Sequence, residues 1–141
     1  EHLVPWHKFQ NDVTTDIMQK VLDHYQATAC CLVLDIPSGL KLVASSGLDD
    51  VLLKEDSLLY DDIRRTIPTI IGDASEDARY SNDPLVKGEP HARFCVRAPL
   101  LVEGDWRIGS LCLLDTKPRD SFSLTECAFL MSGVAKIMSA T

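Results

Sequence analysis

The spacing of apolar residues predicts a helix near the start of the chain. Apolar side chains recur every four positions there, at Phe9, Val13, Ile17, Val21 and Tyr25, and Met18 and Leu22 widen the stripe. Asn11 and Asp12 suit the start of such a helix, because a short polar side chain accepts a hydrogen bond from a free backbone N–H. The pattern therefore predicts an amphipathic helix over residues 12–25.

Short apolar runs separated by turn residues follow, a pattern typical of β-strands. Residues 29–34 and 40–45 flank a turn-forming segment, which favours a hairpin, and residues 68–71 fit a further short strand. Residues 92–102 and 106–114 are separated by Glu103, Gly104 and Asp105, a combination that favours a tight hairpin. The last two strands are therefore expected to be neighbours in a sheet.

Two segments are less regular. Helical spacing between residues 48 and 65 predicts one or two short helices, on the evidence of Leu52, Glu55, Leu59 and Ile63. Residues 73–90 are dense in Asp, Asn, Gly and Pro and form a long polar loop. Loops of this length are uncommon in compact domains and often bind a ligand or cover a site.

The chain is expected to end in a helix. Ser123 and Glu126 match a capping box, and an apolar stripe follows at Leu124, Ala128, Met131, Ala135 and Met138. The order of elements predicts an α+β fold with a central antiparallel sheet of five to six strands. The N- and C-terminal helices pack on one face of this sheet, and the long loop and short helices lie on the other. Residues 1–141 then form a single domain.

Composition and charge narrow the classes of function. Hydrophobic residues make up 45% of the 141 residues and charged residues 25%, the balance of an ordinary globular domain. The formal net charge is -7 and the basic residues are scattered, so neither nucleic acid nor an anionic membrane is an expected partner. No apolar run approaches the roughly 20 residues that cross a bilayer, and the first residues lack a signal-peptide pattern. We therefore expect a cytoplasmic location.

Cysteine chemistry leaves two interpretations. The five cysteines lie in apolar runs without a CxxC pair, at Cys30, Cys31, Cys95, Cys112 and Cys127. Buried, reduced thiols are the favoured interpretation. Cys95 and Cys112 fall on strands expected to pair, so a redox pair is the alternative.

Metal and acid–base chemistry find little support in the sequence. Four carboxylates crowd the long loop, those of Asp73, Glu76, Asp77 and Asp83, but their spacing does not match a calcium loop. His91 has no second His or Cys at ligand spacing. We predict neither a metal site nor a catalytic residue, and the sequence identifies no cofactor.

Three stretches carry a resemblance to a known family. They are residues 73–86 (DASEDARYSNDPLV), residues 93–100 (RFCVRAPL) and residues 108–115 (IGSLCLLD), the last followed by Pro118 and Arg119. Together they resemble the pattern of GAF domains, sensor modules found beside histidine kinase and diguanylate cyclase domains. The resemblance implies a regulatory, non-catalytic domain that is part of a longer signalling protein. It also implies that the terminal helices pass a signal to neighbouring domains.

The sequence departs from the GAF pattern within the second of these stretches. Cys95 stands where the family usually has Tyr, Val96 where it has Ala, and Arg97 where it has Gly. Glycine in a sheet often marks a close approach of ligand or backbone, so a long cation at this position changes either the pocket or the surface.

A ligand site is expected between the sheet and the long loop, with five candidate residues: Arg93, Cys95, Arg97, Asp73 and Tyr80. For Arg93 a scaffolding role is favoured, with the carboxylate of Asp73 or Asp115 as partner. For Arg97 a solvated or surface-paired side chain is favoured over a ligand contact. A ligand, if bound, is predicted to be a small anion held near Arg97, with Arg93 behind it.

Two hypotheses for function follow. The first is a sensor that binds a small molecule or mediates dimerisation, forming a homodimer through its terminal helices with Phe9, Met18, Met131 and Met138 in the contact. The rival is a GAF-type free methionine sulfoxide reductase, for which Cys95 and Cys112 are the only candidate thiols.

Overall fold

A computed structural model describes residues 5–48, 57–60 and 64–140. The helices are α1 (Asp12–Tyr25), α2 (Pro84–Lys87) and α3 (Ala128–Ser139). The strands are β1 (Ala29–Ile36), β2 (Gly39–Ser46), β3 (Thr69–Ile71), β4 (Phe94–Val102) and β5 (Trp106–Asp115). Single 3-10 turns occupy Trp6–Phe9, Ala74–Glu76 and Thr125–Cys127. The short helices predicted between residues 48 and 65 fall mainly on residues 49–56 and 61–63, which lie outside the described residues.

The strands form one antiparallel sheet in the order β2-β1-β5-β4-β3, which confirms the predicted α+β architecture. β1 and β5 are interior strands and are apolar on both faces because both faces are covered. The turn between β4 and β5 places Gly104 and Asp105 at positive φ, the backbone conformation that makes a tight hairpin. The predicted pairing of the last two strands is therefore confirmed.

One face of the sheet, here called the helix face, is covered by both terminal helices, as predicted. α1 begins at the N-cap Asn11, whose Oδ1 accepts a hydrogen bond from Thr14 N at 2.9 Å. α1 and α3 touch at Gly133, where an added Cβ would stand 3.1 Å from Ile17 Cγ2 and 3.4 Å from Val21 Cγ2. The two helices share one core with alternate residues of the strands beneath them.

The predicted apolar stripe of α3 is wrong by one residue. The buried side of the helix carries Leu130, Gly133, Val134 and Ile137, preceded by Cys127. Leu124, Ala128 and Ala135 of the predicted stripe are exposed, and its two methionines are only partly buried. α3 is apolar on nearly every side, so periodicity alone does not select the side that packs. The close approach to α1 at Gly133 selects it.

The predicted stripe of α1 also needs correction at its first turn. Val13 remains 47% exposed, whereas Phe9 and Met18 are each 1% exposed within the core. Phe9 lies in the 3-10 turn before the helix and so reaches the core from a different direction. Phe9 and Met18 therefore have no surface to offer a partner, and their predicted place in a dimer contact is wrong.

The other face, here called the loop face, is covered by residues 73–90 and by residues 57–60. The predicted long loop is not structureless, because it contains the Ala74–Glu76 turn and α2. Asp83 caps α2 through Leu85 N, and Pro84 occupies the first helical position. A second core forms here, in which Leu58, Leu59, Tyr80, Leu85 and Val86 pack on the sheet. No helix among the described residues has the length and apolar character to cross a membrane.

Candidate functional site

A row of paired residues crosses the loop face and places a cation at its centre. The register pairs Cys31 with Cys112, Cys112 with Arg97, and Arg97 with Thr69. Side chains alternate along β4, so Cys95 and Arg97 share the loop face while Phe94 and Val96 join the helix-face core. A cationic side chain therefore lies among thiols and leucines.

The guanidinium of Arg97 is turned inward. The residue is 2% exposed, and its Nη1 donates to Leu58 O at 2.8 Å and to the Tyr80 hydroxyl at 3.1 Å. Its Cζ also stands 5.4 Å from the centre of the Tyr80 ring. A buried cation is tolerated when acceptors satisfy its N–H groups. The favoured expectation of a solvated or surface-paired Arg97 is therefore wrong.

The backbone of Leu58 occupies the space that a ligand was expected to take. Its N–H donates to Asp83 Oδ2 at 2.9 Å, and its carbonyl accepts from Arg97 and from the Cys95 thiol, the latter at 3.9 Å. The Cys112 thiol donates to Leu59 O, also at 3.9 Å. Leu58 and Leu59 are 0% and 1% exposed. Among the described residues this segment fills the gap between the sheet and the loop.

Of the five predicted ligand-binding residues, the structure brings together Cys95, Arg97 and Tyr80 around Leu58. Arg93 and Asp73 lie outside this group. The Arg93 guanidinium donates to the carbonyls of Val86 and Ala92 at 3.1 and 3.0 Å, so its predicted carboxylate partner is wrong. The Asp73 side chain accepts from Ser75 N at 3.0 Å and from the Ser75 hydroxyl at 2.6 Å. Both residues fix the shape of the covering loop.

Asp115, the other proposed partner of Arg93, pairs with a different arginine. Its Oδ2 accepts from Arg119 Nη2 at 2.8 Å, and the same nitrogen donates to Tyr25 O at 2.6 Å. Arg93 meets Asp115 only through the backbone, where Arg93 N donates to Asp115 O at 2.8 Å. The turn after β5 is thereby tied to the end of α1.

All five cysteines are free and buried, as the favoured interpretation predicted. Cys30 faces the helices and Cys31 the loop, as expected for adjacent strand residues. Burial raises the pKa of the Cys30, Cys31 and Cys127 thiols, because the charged thiolate is poorly solvated inside the protein. Cys95 pairs with Leu114 in the sheet, so Cys112 is its diagonal rather than its direct neighbour.

Three of the four carboxylates that crowd the loop, those of Asp73, Asp77 and Asp83, accept hydrogen bonds from its backbone. Asp77 accepts from Arg79 at its N, Nε and Nη2, and the hydrogen bonds from Arg79 lower the pKa of the Asp77 carboxyl. Asp83 caps α2 and holds Leu58 N. Across the described ranges, no three His, Cys, Asp or Glu side chains are grouped closely enough to hold a metal ion.

Sequence reasoning missed a second buried arginine, Arg107, which is 4% exposed. Its guanidinium donates to Arg65 O at 2.7 Å, to Gly109 O at 3.2 Å and to the Ser110 hydroxyl at 2.6 Å. The adjoining cavity has a volume of about 10 Å³, room for about one water. A bulge interrupts the alternation of β5 between Arg107 and Gly109, so counting residues along the strand does not place this side chain.

A second, open groove lies at the end of α1, with a volume of about 650 Å³. His24 and Phe129 stack across it with ring centres 4.0 Å apart, and Arg119 and Phe122 complete its wall. The Tyr25 hydroxyl in this wall donates to Glu126 O at 2.6 Å and accepts from Leu130 N at 3.0 Å. This hydroxyl is committed to joining α1 to the start of α3.

Comparison with known proteins gives a partial match to one curated relative. A cyclic di-GMP phosphodiesterase of Pseudomonas aeruginosa is 38% identical over 60 residues. That segment is 43% of this chain and 10% of the phosphodiesterase. The chain therefore matches a small part of a much longer protein.

Solved structures with similar folds cover nearly the whole chain. The GAF domain of an Acinetobacter phosphoenolpyruvate-protein phosphotransferase has a TM-score of 0.69 at 17% identity, covering 99% of this chain and 94% of that one. A type II free methionine-R-sulfoxide reductase from Thermoplasma acidophilum has a TM-score of 0.73 at 15% identity, covering 95% and 96%. At these identities the likeness concerns the fold. The family model described as GAF domain matches residues 11–140, and the chain therefore belongs to the GAF domain family.

Proposed function

We propose that this GAF domain is a non-catalytic, cytoplasmic sensor within a longer signalling protein, and that it binds a small anion at Arg97 on the loop face. The observation that carries the proposal is the burial of that guanidinium between the sheet and the covering loop, at 2% exposure. Its Nη1 donates to a backbone carbonyl and to a phenol hydroxyl, both of which a ligand oxygen can replace. Among the candidate residues, Tyr80 and Cys95 line the same space.

The chemistry of Arg97 favours a carboxylate or phosphate as the ligand group. A guanidinium offers a planar fork of donors that matches two oxygens of such a group, and its attraction to an anionic oxygen is stronger than its attraction to a neutral carbonyl. Burial strengthens the attraction further because little solvent screens it. Arg93 stands behind the site in a supporting role, since it holds the covering loop at Val86 O.

A thermal-shift screen of carboxylates, phosphates and nucleotides tests this proposal. A ligand at about 100 times its dissociation constant stabilises the fold by about 2.7 kcal/mol. We expect Arg97→Gly to abolish the shift, and Arg79→Gly on the exposed side of the loop to retain it. Arg97→Lys, which keeps the charge without the fork, serves as a folded variant with weakened binding. A shift that survives Arg97→Gly, or no shift with any anion, contradicts the proposal.

We further propose that the domain forms a homodimer through the outer side of α3. Leu124, Ala128, Met131, Ala135 and Met138 recur at alternating intervals of four and three residues, the spacing of a coiled-coil seam. These residues are exposed or partly buried, and Lys136 is the only charged residue of α3. A second copy of the same helix is the partner that this spacing suits, because each seam residue packs against its own equivalent.

Light scattering at high micromolar concentration tests the dimer. We expect the wild-type protein to have twice the mass of one chain, and Ala135→Glu to halve it by placing like charges in the seam. Lys136→Glu on the adjacent side of α3 is the matched control and retains the dimer. A monomeric wild type, or equal effects of the two variants, contradicts this interface.

The reductase alternative has less support. A nucleophilic thiol needs exposure and an activating setting, whereas Cys95 and Cys112 are 0% exposed and donate to backbone carbonyls. We expect no turnover in a thiol-coupled assay with free methionine sulfoxide. Turnover that Cys95→Ser or Cys112→Ser abolishes would instead establish the enzyme.

A further inference from the structure

The backbone N–H and C=O of Leu58 are held in the way that a protein holds a ligand. Buried backbone groups usually pair with other backbone groups. Here the Leu58 carbonyl accepts from Arg97 at 2.8 Å and from the Cys95 thiol, and its N–H donates to Asp83 at 2.9 Å. The three side chains come from β4 and from the covering loop, 25 to 39 residues away in the chain. They form a preorganised frame around one residue.

The charges of this frame have opposite signs at the two ends of that residue. A cation meets the carbonyl end and a carboxylate meets the N–H end. The carboxylate of Asp83 is itself fixed, because its other oxygen accepts from Leu85 N at 2.9 Å. Between the two ends the leucine side chain is 0% exposed within the loop-face core. An acceptor group, a donor group and a branched aliphatic chain are therefore recognised together.

We infer that the loop face binds an aliphatic α-amino acid, with leucine as the best-matched shape, in the place that the Leu58 residue fills. The carboxylate binds Arg97 and Tyr80, the ammonium group binds Asp83, and the side chain enters the apolar pocket that Leu58 leaves. This inference rests on the proposed anion site and names its ligand class.

Leu58 is then a competitor built into the chain. Each contact has one ionised partner with the neutral backbone of Leu58 and becomes an ion pair when a free amino acid replaces that backbone, which favours the ligand. The tethered segment has the advantage of being always present at high effective concentration. A ligand that must displace it has an apparent affinity equal to its intrinsic affinity multiplied by the fraction of protein in which Leu58 has left the site. Weakening the competitor therefore strengthens binding.

Calorimetric titration of the full chain with three probes tests the ligand class. The probes are L-leucine, 4-methylpentanoate, which lacks the ammonium group, and leucinamide, which lacks the carboxylate. We expect L-leucine to bind at least about tenfold more tightly than either analogue, the loss typical of one charged hydrogen bond. Asp83→Asn retains the cap of α2, and in this variant L-leucine should bind no better than 4-methylpentanoate.

The outcomes separate this inference from the proposed function. If 4-methylpentanoate or phosphate binds as tightly as L-leucine, the anion site stands and the amino acid inference is overturned. If no anion binds, both fail.

Truncation of Leu58 is an independent test, because it is expected to lower the stability of the fold and to strengthen ligand binding. We expect Leu58→Ala to lower the melting temperature and to tighten L-leucine binding several-fold. Leu130→Ala, an equally buried truncation on the helix face, lowers the melting temperature without changing the affinity. If Leu58→Ala binds L-leucine no more tightly than the wild type, or Leu130→Ala tightens it equally, Leu58 is only a core residue and the inference is overturned.

Discussion

At the scale of single residues, arginines and backbone carbonyls organise the molecule. Arg93, Arg97, Arg107 and Arg119 each donate to at least one main-chain oxygen. Such hydrogen bonds attach loops and turns to neighbouring elements through main-chain oxygens. The sequence singles out Arg97 as a departure from the GAF pattern, but it does not reveal the partner. The carbonyl that Arg97 binds is 39 residues away. Every residue type has a backbone carbonyl, so the sequence does not show which one is bound.

The link between α1 and the turn after β5 gives a prediction at this scale. Arg119→Ala removes the hydrogen bonds to Tyr25 O and to Asp115, and leaves the carboxylate of Asp115 without its cation. We expect the free energy of unfolding to fall by about 1–3 kcal/mol. Urea denaturation measures the change, with the exposed Lys117→Ala as control. A fall within about 0.5 kcal/mol, the usual range for surface substitutions, would contradict the role given to Arg119.

The buried thiols predict how stability depends on pH. Burial raises the pKa of Cys30, Cys31 and Cys127 in the folded state, whereas the unfolded thiols ionise near pH 8.5. The unfolded chain therefore loses protons first as pH rises. The contribution of these thiols to the free energy of unfolding is expected to be constant below about pH 8 and to decrease above about pH 8.5. Urea denaturation at several pH values measures this, and Cys30→Ala should show a shallower decrease. Parallel curves for the two proteins would contradict the expectation.

At the scale of elements, capping and turn signals identified ends, and periodicity identified faces only where polar residues mark them. The Asn11 cap and the β4–β5 turn lie where the sequence predicts them. Ser123 N donates to Glu126 Oε1 at 3.0 Å, one of the two hydrogen bonds of the predicted capping box. The inward side of α3 was not predictable in this way, because the helix carries its own apolar residues on nearly every side. Tertiary contact with α1 decides it.

That contact gives a prediction for the two helices. Gly133→Leu drives a side chain into Ile17 and Val21, since even a Cβ at this position would be 3.1 Å from Ile17. Overpacking costs about 1–3 kcal/mol, against a gain of up to about 1 kcal/mol in helix propensity. We expect a lower melting temperature, measured by circular dichroism. Ser132→Leu on the exposed side of α3 is the control. An unchanged or raised melting temperature for Gly133→Leu would show that α1 and α3 are not in close contact there.

At the scale of the whole molecule, the two hairpin pairings and the separation of helices from loop were predictable from sequence. Hairpin signals indicate that β1 pairs with β2 and β4 with β5, and the sheet needs a cover on both faces. The pairing of β1 with β5, which joins the two hairpins, carries no local signal. The filling of the loop face was not predictable, because residues 57–60 are too few to show a periodicity that distinguishes a surface segment from a buried one. For this reason the sequence analysis did not place Leu58, or Asp83 which binds it, in the site. Asp83 carries a detectable signal as an N-cap before proline, but the signal concerns α2 and not the ligand site.

The central claim is that ligands bind on the loop face at Arg97, where Leu58 now lies. Nuclear magnetic resonance of the ¹⁵N-labelled protein tests it directly, with acetate, phosphate and L-leucine added in turn. The account predicts that at least one probe shifts the Arg97 Nε–H signal and the Leu58 amide signal together, with a single saturation curve. It predicts little change at His24 and Phe129, which line the groove on the opposite side of the sheet. Shifts confined to His24 and Phe129, or no saturable shift at Arg97 with any probe, would contradict it.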